Sequence, residues 1–278
     1  MEISIVEGIG VEKALQDIER VLNNITNAYS ASPGATLYAR YINWTNESIR
    51  ILNGVIDIKS VSKLITTTRY WSLITAANHE IPEVLSIINT ELAERTKQIT
   101  FEVELIKKEF EKWKYFSGVL VIADTSVYLH SNNYFDKVDW HEIARIPPER
   151  EIRIIIPIQV IDELDDAKTS NRTILVSETN KEMIRDRARQ TLKKINQLFM
   201  SVHEFQTLTV GIDNYKKTSI GLDIDSIYHV PVANADGEIL DLALSLRTRT
   251  NKNVKIVTRD TGMHLRARNI GLESELTD

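Results

Sequence analysis

The sequence predicts an α/β fold, a parallel sheet flanked by helices, preceded by a smaller all-α domain. Three observations predict it. In residues 116–278 short apolar runs alternate with helical patterns, as a parallel sheet with helices on its faces requires. In residues 1–115 apolar residues recur at helical spacing and strand-like runs are lacking. Finally, Asp124, Glu163, Asp236 and Asp260 each stand at or just beyond the end of an apolar run or at a helix start, where a parallel sheet gathers its ligands.

The elements of the first half follow from periodicity and punctuation. Ala14, Ile18, Val21, Leu22 and Ile25 mark one face of a first helix. Ser30-Ala31-Ser32-Pro33-Gly34 breaks it, and Ser32 is placed to cap a second helix running from Pro33 through Tyr41 to Leu52, stopped by Asn53-Gly54. Short helices are expected over about 60–65 and 68–78, then a long one from Ile81 or Pro82 to Lys114 whose Glu and Lys residues give it a solvated face. Tyr41, Trp44, Tyr70 and Trp71 offer either core packing or a surface for stacking bases, and aromatics at this spacing on amphipathic helices favour the core.

In the second half the strands are expected at 118–123, 153–157, 207–212 and 254–258, with a short last one near Gly271 to Glu275. Helices are expected between about 132 and 146 and over 159–166, 180–200, 236–248 and 260–268. Two stretches fall outside this rhythm: the polar segment 168–180, read as a loop over the site, and the long connection 213–235. The boundary between the two domains is expected near Tyr115.

Composition narrows the function. Cysteine is absent, which excludes disulfides, thiolate zinc sites and cysteine nucleophiles. No apolar stretch approaches bilayer length and the start Met1-Glu2-Ile3-Ser4 lacks a basic signal region, so a cytoplasmic chain without membrane contact is expected. The net charge of -5 calls for a local basic patch if nucleic acid is the partner. No GxxxxGK[ST] or GxGxxG loop occurs, which argues against an NTPase or a dinucleotide enzyme.

Carboxylates that converge repel one another unless a cation neutralises them, and hard oxygen donors suit Mg²⁺ or Mn²⁺. Any one of these acids serves equally well as a helix cap; their recurrence at one sheet edge favours a shared site. Asp236 is a better candidate than Glu238 or Asp241, which lie round the helix from it. Thr125, Ser126 and Thr258 lack a Ser-His-Asp context and are read as hydrogen-bonding support for the metal shell. Lys168, Arg172 and Arg259, with Arg266 and Arg268 beyond, flank the proposed crevice and are candidates for phosphate contacts.

Val-Ile-Ala-Asp124-Thr125-Ser126, Ile-Pro-Ile-Gln-Val-Ile-Asp-Glu163-Leu-Asp165, Ala-Asp236-Gly-Glu-Ile-Leu and Val-Thr258-Arg-Asp260-Thr-Gly together resemble the PIN domain, a family of metal-dependent ribonucleases, over about residues 117–275. The resemblance implies that Asp124, Glu163, Asp236 and Asp260 hold one or two Mg²⁺ or Mn²⁺ ions and that the chain is an endoribonuclease acting on single-stranded RNA. Asp186-Arg187-Ala188-Arg189 is similar to the longer members, whereas the N-terminal helices lie outside the resemblance and are read as an accessory domain for a partner protein, self-association or substrate. Two rival readings are a catalytically inactive PIN-like scaffold or RNA-binding module, in which the acids are caps, and another metal-dependent nuclease or phosphatase, since carboxylates specify phosphoryl chemistry better than a sugar.

Overall fold

A computed structural model describes residues 3–6, 8–29, 36–76, 82–176, 181–199, 205–208, 217–223, 232 and 234–277. The chain divides into two compact units, Met1–Tyr115 with Thr248–Asn251, and Phe116–Arg247 with Lys252–Asp278.

The first unit is helical. Helix α1 (Val11–Tyr29) buries Val11, Ala14, Ile18, Val21, Ile25 and Ala28, a three-four alternation that keeps one stripe inward. Helices α2 (Leu37–Leu52), α3 (Ile58–Leu64), α4 (Thr68–Ile74) and α5 (Pro82–Lys114) complete one apolar core with it. Thr36 caps α2 by accepting the Ala39 amide hydrogen at 3.1 Å, so the described helix begins after the expected Pro33; Ser32 and Pro33 lie outside the described residues. Helix α4 ends at Ile74, short of the expected 78; positions 77 and 78 lie outside the described residues. Tyr41, Trp44 and Tyr70 are core, while Trp71 is 58% exposed, so the four aromatics do not form one stacking surface. Glu91 of α5 is buried, and its charge is met by Arg69 at 2.9 Å, Arg95 at 3.2 Å and the Thr67 hydroxyl at 2.7 Å.

The second unit is built on a six-stranded sheet. Strand β1 (Val119–Ala123) is buried throughout and pairs in parallel with β2 (Ile152–Pro157) on one side and β7 (Asn253–Thr258) on the other. Burial on both faces is why Val119 to Ala123 reads as a continuous apolar run. Beyond β2 lie β6 (Thr218–Asp223), parallel, and β5 (Gln206–Leu208), antiparallel; beyond β7 lies β8 (Glu273–Leu276), parallel. The helices are α6 (Thr125–His130), α7 (Trp140–Ile143), α8 (Ile158–Ala167), α9 (Ile184–Leu198), α10 (Ala235–Thr250) and α11 (Thr261–Asn269).

Several elements differ from expectation. The segment 168–180 is not wholly loop: β3 (Thr173–Leu175) pairs antiparallel with β4 (Lys181–Met183), because the β-branched and aliphatic side chains of Thr173-Ile174-Leu175 favour extension and Ile174 is buried. The connection 213–235 contains β6, an inner strand whose Gly221 lowers its strand propensity. A Cβ at Gly221 would lie 2.6 Å from the Phe205 ring, so glycine there admits the aromatic. The strand expected at 207–212 is described only as the short β5, positions 209–212 lying outside the described residues. In the stretch 132–146, expected to hold helices, only α7 is found, and α6 starts earlier, directly after Asp124.

Candidate functional site

The chain passes from β1 to β2 on one side and later returns to β7 on the other, so the carboxyl ends of β1 and β7 form a topological switch point. Asp124 leaves β1 there and caps α6; Thr258 ends β7 and Asp260 caps α11. Strand pairing fixes the match, with Ala123 opposite Val257 and the Asp124 amide donating to the Val257 carbonyl at 3.1 Å.

Both oxygens of Asp124 are held. Oδ1 accepts from Ser126 Oγ at 2.5 Å and from the Val127 amide at 3.1 Å, and Oδ2 accepts from the Thr258 hydroxyl. Thr258 Oγ1 in turn accepts the Asp260 amide hydrogen at 2.9 Å, and Ser126 Oγ accepts the Arg259 amide hydrogen at 3.3 Å. Two hydroxyls therefore fasten the β1 end to the turn after β7. Asp124 is only 7% exposed and Thr258 is fully buried, so the carboxylate is desolvated and depends on these donors.

Each of the other acids is held by a partner of its own. Glu163, half-buried on α8, accepts from the Thr125 hydroxyl next to Asp124. Asp260 Oδ1 accepts the Met263 amide hydrogen at 2.8 Å. Asp236, in the first turn of α10, is bound by the Arg266 guanidinium from α11. A Cβ at position 262 would lie 2.9 Å from Asp260 Oδ1 and 3.4 Å from Arg266 Nη1, so Gly262 leaves room that the carboxylate and the guanidinium share.

The donor set consists of carboxylates and hydroxyls; this chemistry fits a hard divalent cation. The carboxylates are not drawn into one cluster: among the described residues no group of three or more His, Asp or Glu side chains is close enough to hold a metal ion. Asp236 is turned to Arg266 and Glu163 to Thr125, and each thereby gains a partner in place of a shared ion.

Of the basic candidates, Lys168 pairs with Asp165 at 2.6 Å, Arg172 is exposed at the entry to β3, and Arg259 is exposed beside Asp260. His130, at the end of α6, has its pKa lowered by burial first, then by Arg259 and Arg187, with Asp124 opposing. Arg187, on α9, is 1% exposed and donates to the Ser131 and Asn133 carbonyls while lying 4.6 Å from the centre of the Tyr134 ring; it anchors the turn after α6. Neither the Arg266 to Asp236 pairing nor the anchoring by Arg187 has a local sequence signal, because the partners lie 30 and 56 positions apart.

Compared with known protein families, residues 121–277 match the PIN domain. No curated protein and no solved structure matches the chain significantly. The match spans more than half of the chain and contains all four acids together with Thr125, Ser126 and Thr258.

Proposed function

The chain belongs to the PIN-domain family, typically metal-dependent nucleases, and on that premise we propose that it is a Mg²⁺- or Mn²⁺-dependent endoribonuclease hydrolysing phosphodiester bonds in single-stranded RNA. One observation carries the reading: at the switch point the Thr258 hydroxyl joins the Asp124 carboxylate, which follows β1, to the backbone amide of Asp260, which follows β7. Asp124 and Asp260 would hold the ion, with Glu163 and Asp236 completing the set. Bound there, the ion supplies charge for the phosphate and lowers the pKa of a coordinated water.

The remaining work falls to side chains already positioned. Ser126 and Thr258 lock the rotamer of Asp124, so its charge is aimed before any ligand arrives. Thr125 orients Glu163. Lys168, Arg172 and Arg259 provide the positive rim for the RNA backbone, and residues 1–115 act as an accessory domain that recruits a partner protein, a second copy or the substrate itself.

A second reading is favoured by a separate observation. Asp124 and Asp260 both accept amide hydrogens from the first turn of a helix, which is what caps do in a PIN-like scaffold without activity. Among the described residues no helix is long and apolar enough to cross a membrane, which fits either reading. Circular single-stranded RNA, which only an endonuclease can open, separates them. The full chain should linearise it with Mg²⁺ or Mn²⁺ and cease with a chelator, and Asp124→Asn should be inactive. Cleavage that persists in Asp124→Asn, or absence of cleavage with either ion, contradicts the nuclease reading.

A further inference from the structure

A cavity of about 340 Å³ lies between α8 and α9 at the carboxyl ends of β2 and β6. It is lined by Ile156 near the end of β2, Ile158 and Ile161 of α8, Leu192, Ile195 and Asn196 of α9, Phe199, and Leu222-Asp223 at the end of β6. We propose that this cavity is a subsite for one unstacked nucleobase of the RNA, rim and walls together selecting which base is held beside the cleaved phosphate. The proposal rests on the nuclease reading for its substrate class.

Position supports it first. At 100° per residue, Ile161 and Glu163 face opposite sides of α8, and a helix with its side chains is about 10 Å across. The cavity therefore lies at the same carboxyl edge of the sheet as the acids, one helix width away. A single strand crossing the start of α8 can present a phosphate to Asp124 and Asp260 while a neighbouring base turns into the cavity.

Chemistry supports it next. Ile158, Ile161, Leu192, Phe199 and Leu222 are each only partly buried, so the walls are apolar surface still open to water, with one aromatic ring for a base to lie against. Asn196 is exposed at the mouth and offers both a donor and an acceptor; Asp223 adds an acceptor, and a carboxylate has about four such sites, enough for a base as well as a protein partner. Single-stranded RNA is read in this way, by stacking and by hydrogen bonds to the exposed base edge. Beside this row, Arg189 and Lys193 are exposed four residues apart on α9, next to Leu192 and Asn196, and supply charge for the backbone.

The test uses the full chain in chelator, titrated with the four nucleoside 5′-monophosphates and with ribose 5-phosphate, followed by methyl NMR of the Ile and Leu side chains. At least one nucleotide should bind saturably and shift Ile161 and Leu192, and ribose 5-phosphate should not. Leu192→Trp, which fills the cavity, should weaken that binding at least tenfold. Asn196→Ala, at an exposed position, should weaken it about fivefold. Because chelator strips metal from every sample, this binding is read without the metal site, which keeps failure of this subsite distinct from failure of the metal site. No base-dependent binding, binding that Leu192→Trp leaves unchanged, or a cavity filled by the chain itself would overturn the proposal.

Discussion

The Thr258 hydroxyl donates to Oδ2 of Asp124 across the β1/β7 crevice, and Thr258 Oγ1 itself accepts the Asp260 amide hydrogen. One buried group thus fixes the rotamer of one acid and the backbone carrying the other. Thr258→Val keeps the shape and removes the donor, leaving a buried carboxylate oxygen short of a partner at a cost of about 1–3 kcal/mol. Chemical denaturation should show that loss, and Thr258→Ser should recover most of it. Equal stability of Thr258→Val and the parent would mean that the bond is not formed in solution.

Arg266 occupies Asp236 with a positive charge that a metal ion would have to displace. The pair is partly exposed, 54% and 37%, so it is worth no more than about 1 kcal/mol. Arg266→Gln should accordingly tighten Mn²⁺ binding, by up to about fivefold, as read by EPR of the free ion. Unchanged or weaker Mn²⁺ affinity would show that Arg266 does not compete at the site.

The pKa of His130 is lowered from the usual histidine value because it is partly buried and faces Arg259 and Arg187. Its neutral form is favoured in the folded chain, whereas the unfolded chain takes up the proton at the ordinary pKa. The resulting stability is fully present above that ordinary value and is lost as pH falls through the lowered one. Denaturation midpoints measured from neutral to mildly acidic pH should fall more steeply for the parent than for His130→Gln. Parallel curves would place His130 in contact with water.

Replacing Lys168, Arg172 and Arg259 by Ala should weaken single-stranded RNA binding and flatten its logarithmic salt dependence by about 0.7 for each phosphate that is no longer neutralised. Fluorescence anisotropy across a salt series measures both quantities. A parental slope would assign phosphate binding elsewhere, with Arg189 and Lys193 of α9 the next residues to vary.

What the sequence made legible was whatever rests on local pattern. Val119 to Ala123 reads as a strand because both its faces are buried, Val254 to Val257 because Lys255 alone interrupts its apolar run, and Asp124 and Asp260 stand out because they follow those runs closely. Strand β6 is hidden by Gly221, whose role depends on the Phe205 ring, and the β3/β4 pair by the shortness of both strands and the charged Lys181-Glu182 of β4. The family resemblance points to Asp236 as a ligand, yet its partner Arg266 comes from another helix, and no spacing rule reaches across 30 residues of chain. The cavity between α8 and α9 is equally out of reach, since its walls are gathered from four elements and the residue after α9.

Whether Asp124 belongs to a cation site or is a helix cap alone is decided by titrating the full chain and Asp124→Asn with Mn²⁺, by calorimetry or EPR, with a thermal unfolding curve of each. Saturable Mn²⁺ binding is expected in the parent and should vanish in Asp124→Asn, with the fold retained because the amide keeps the oxygen that accepts from Val127. Equal Mn²⁺ binding by the two proteins, or none by the parent, would contradict the cation site.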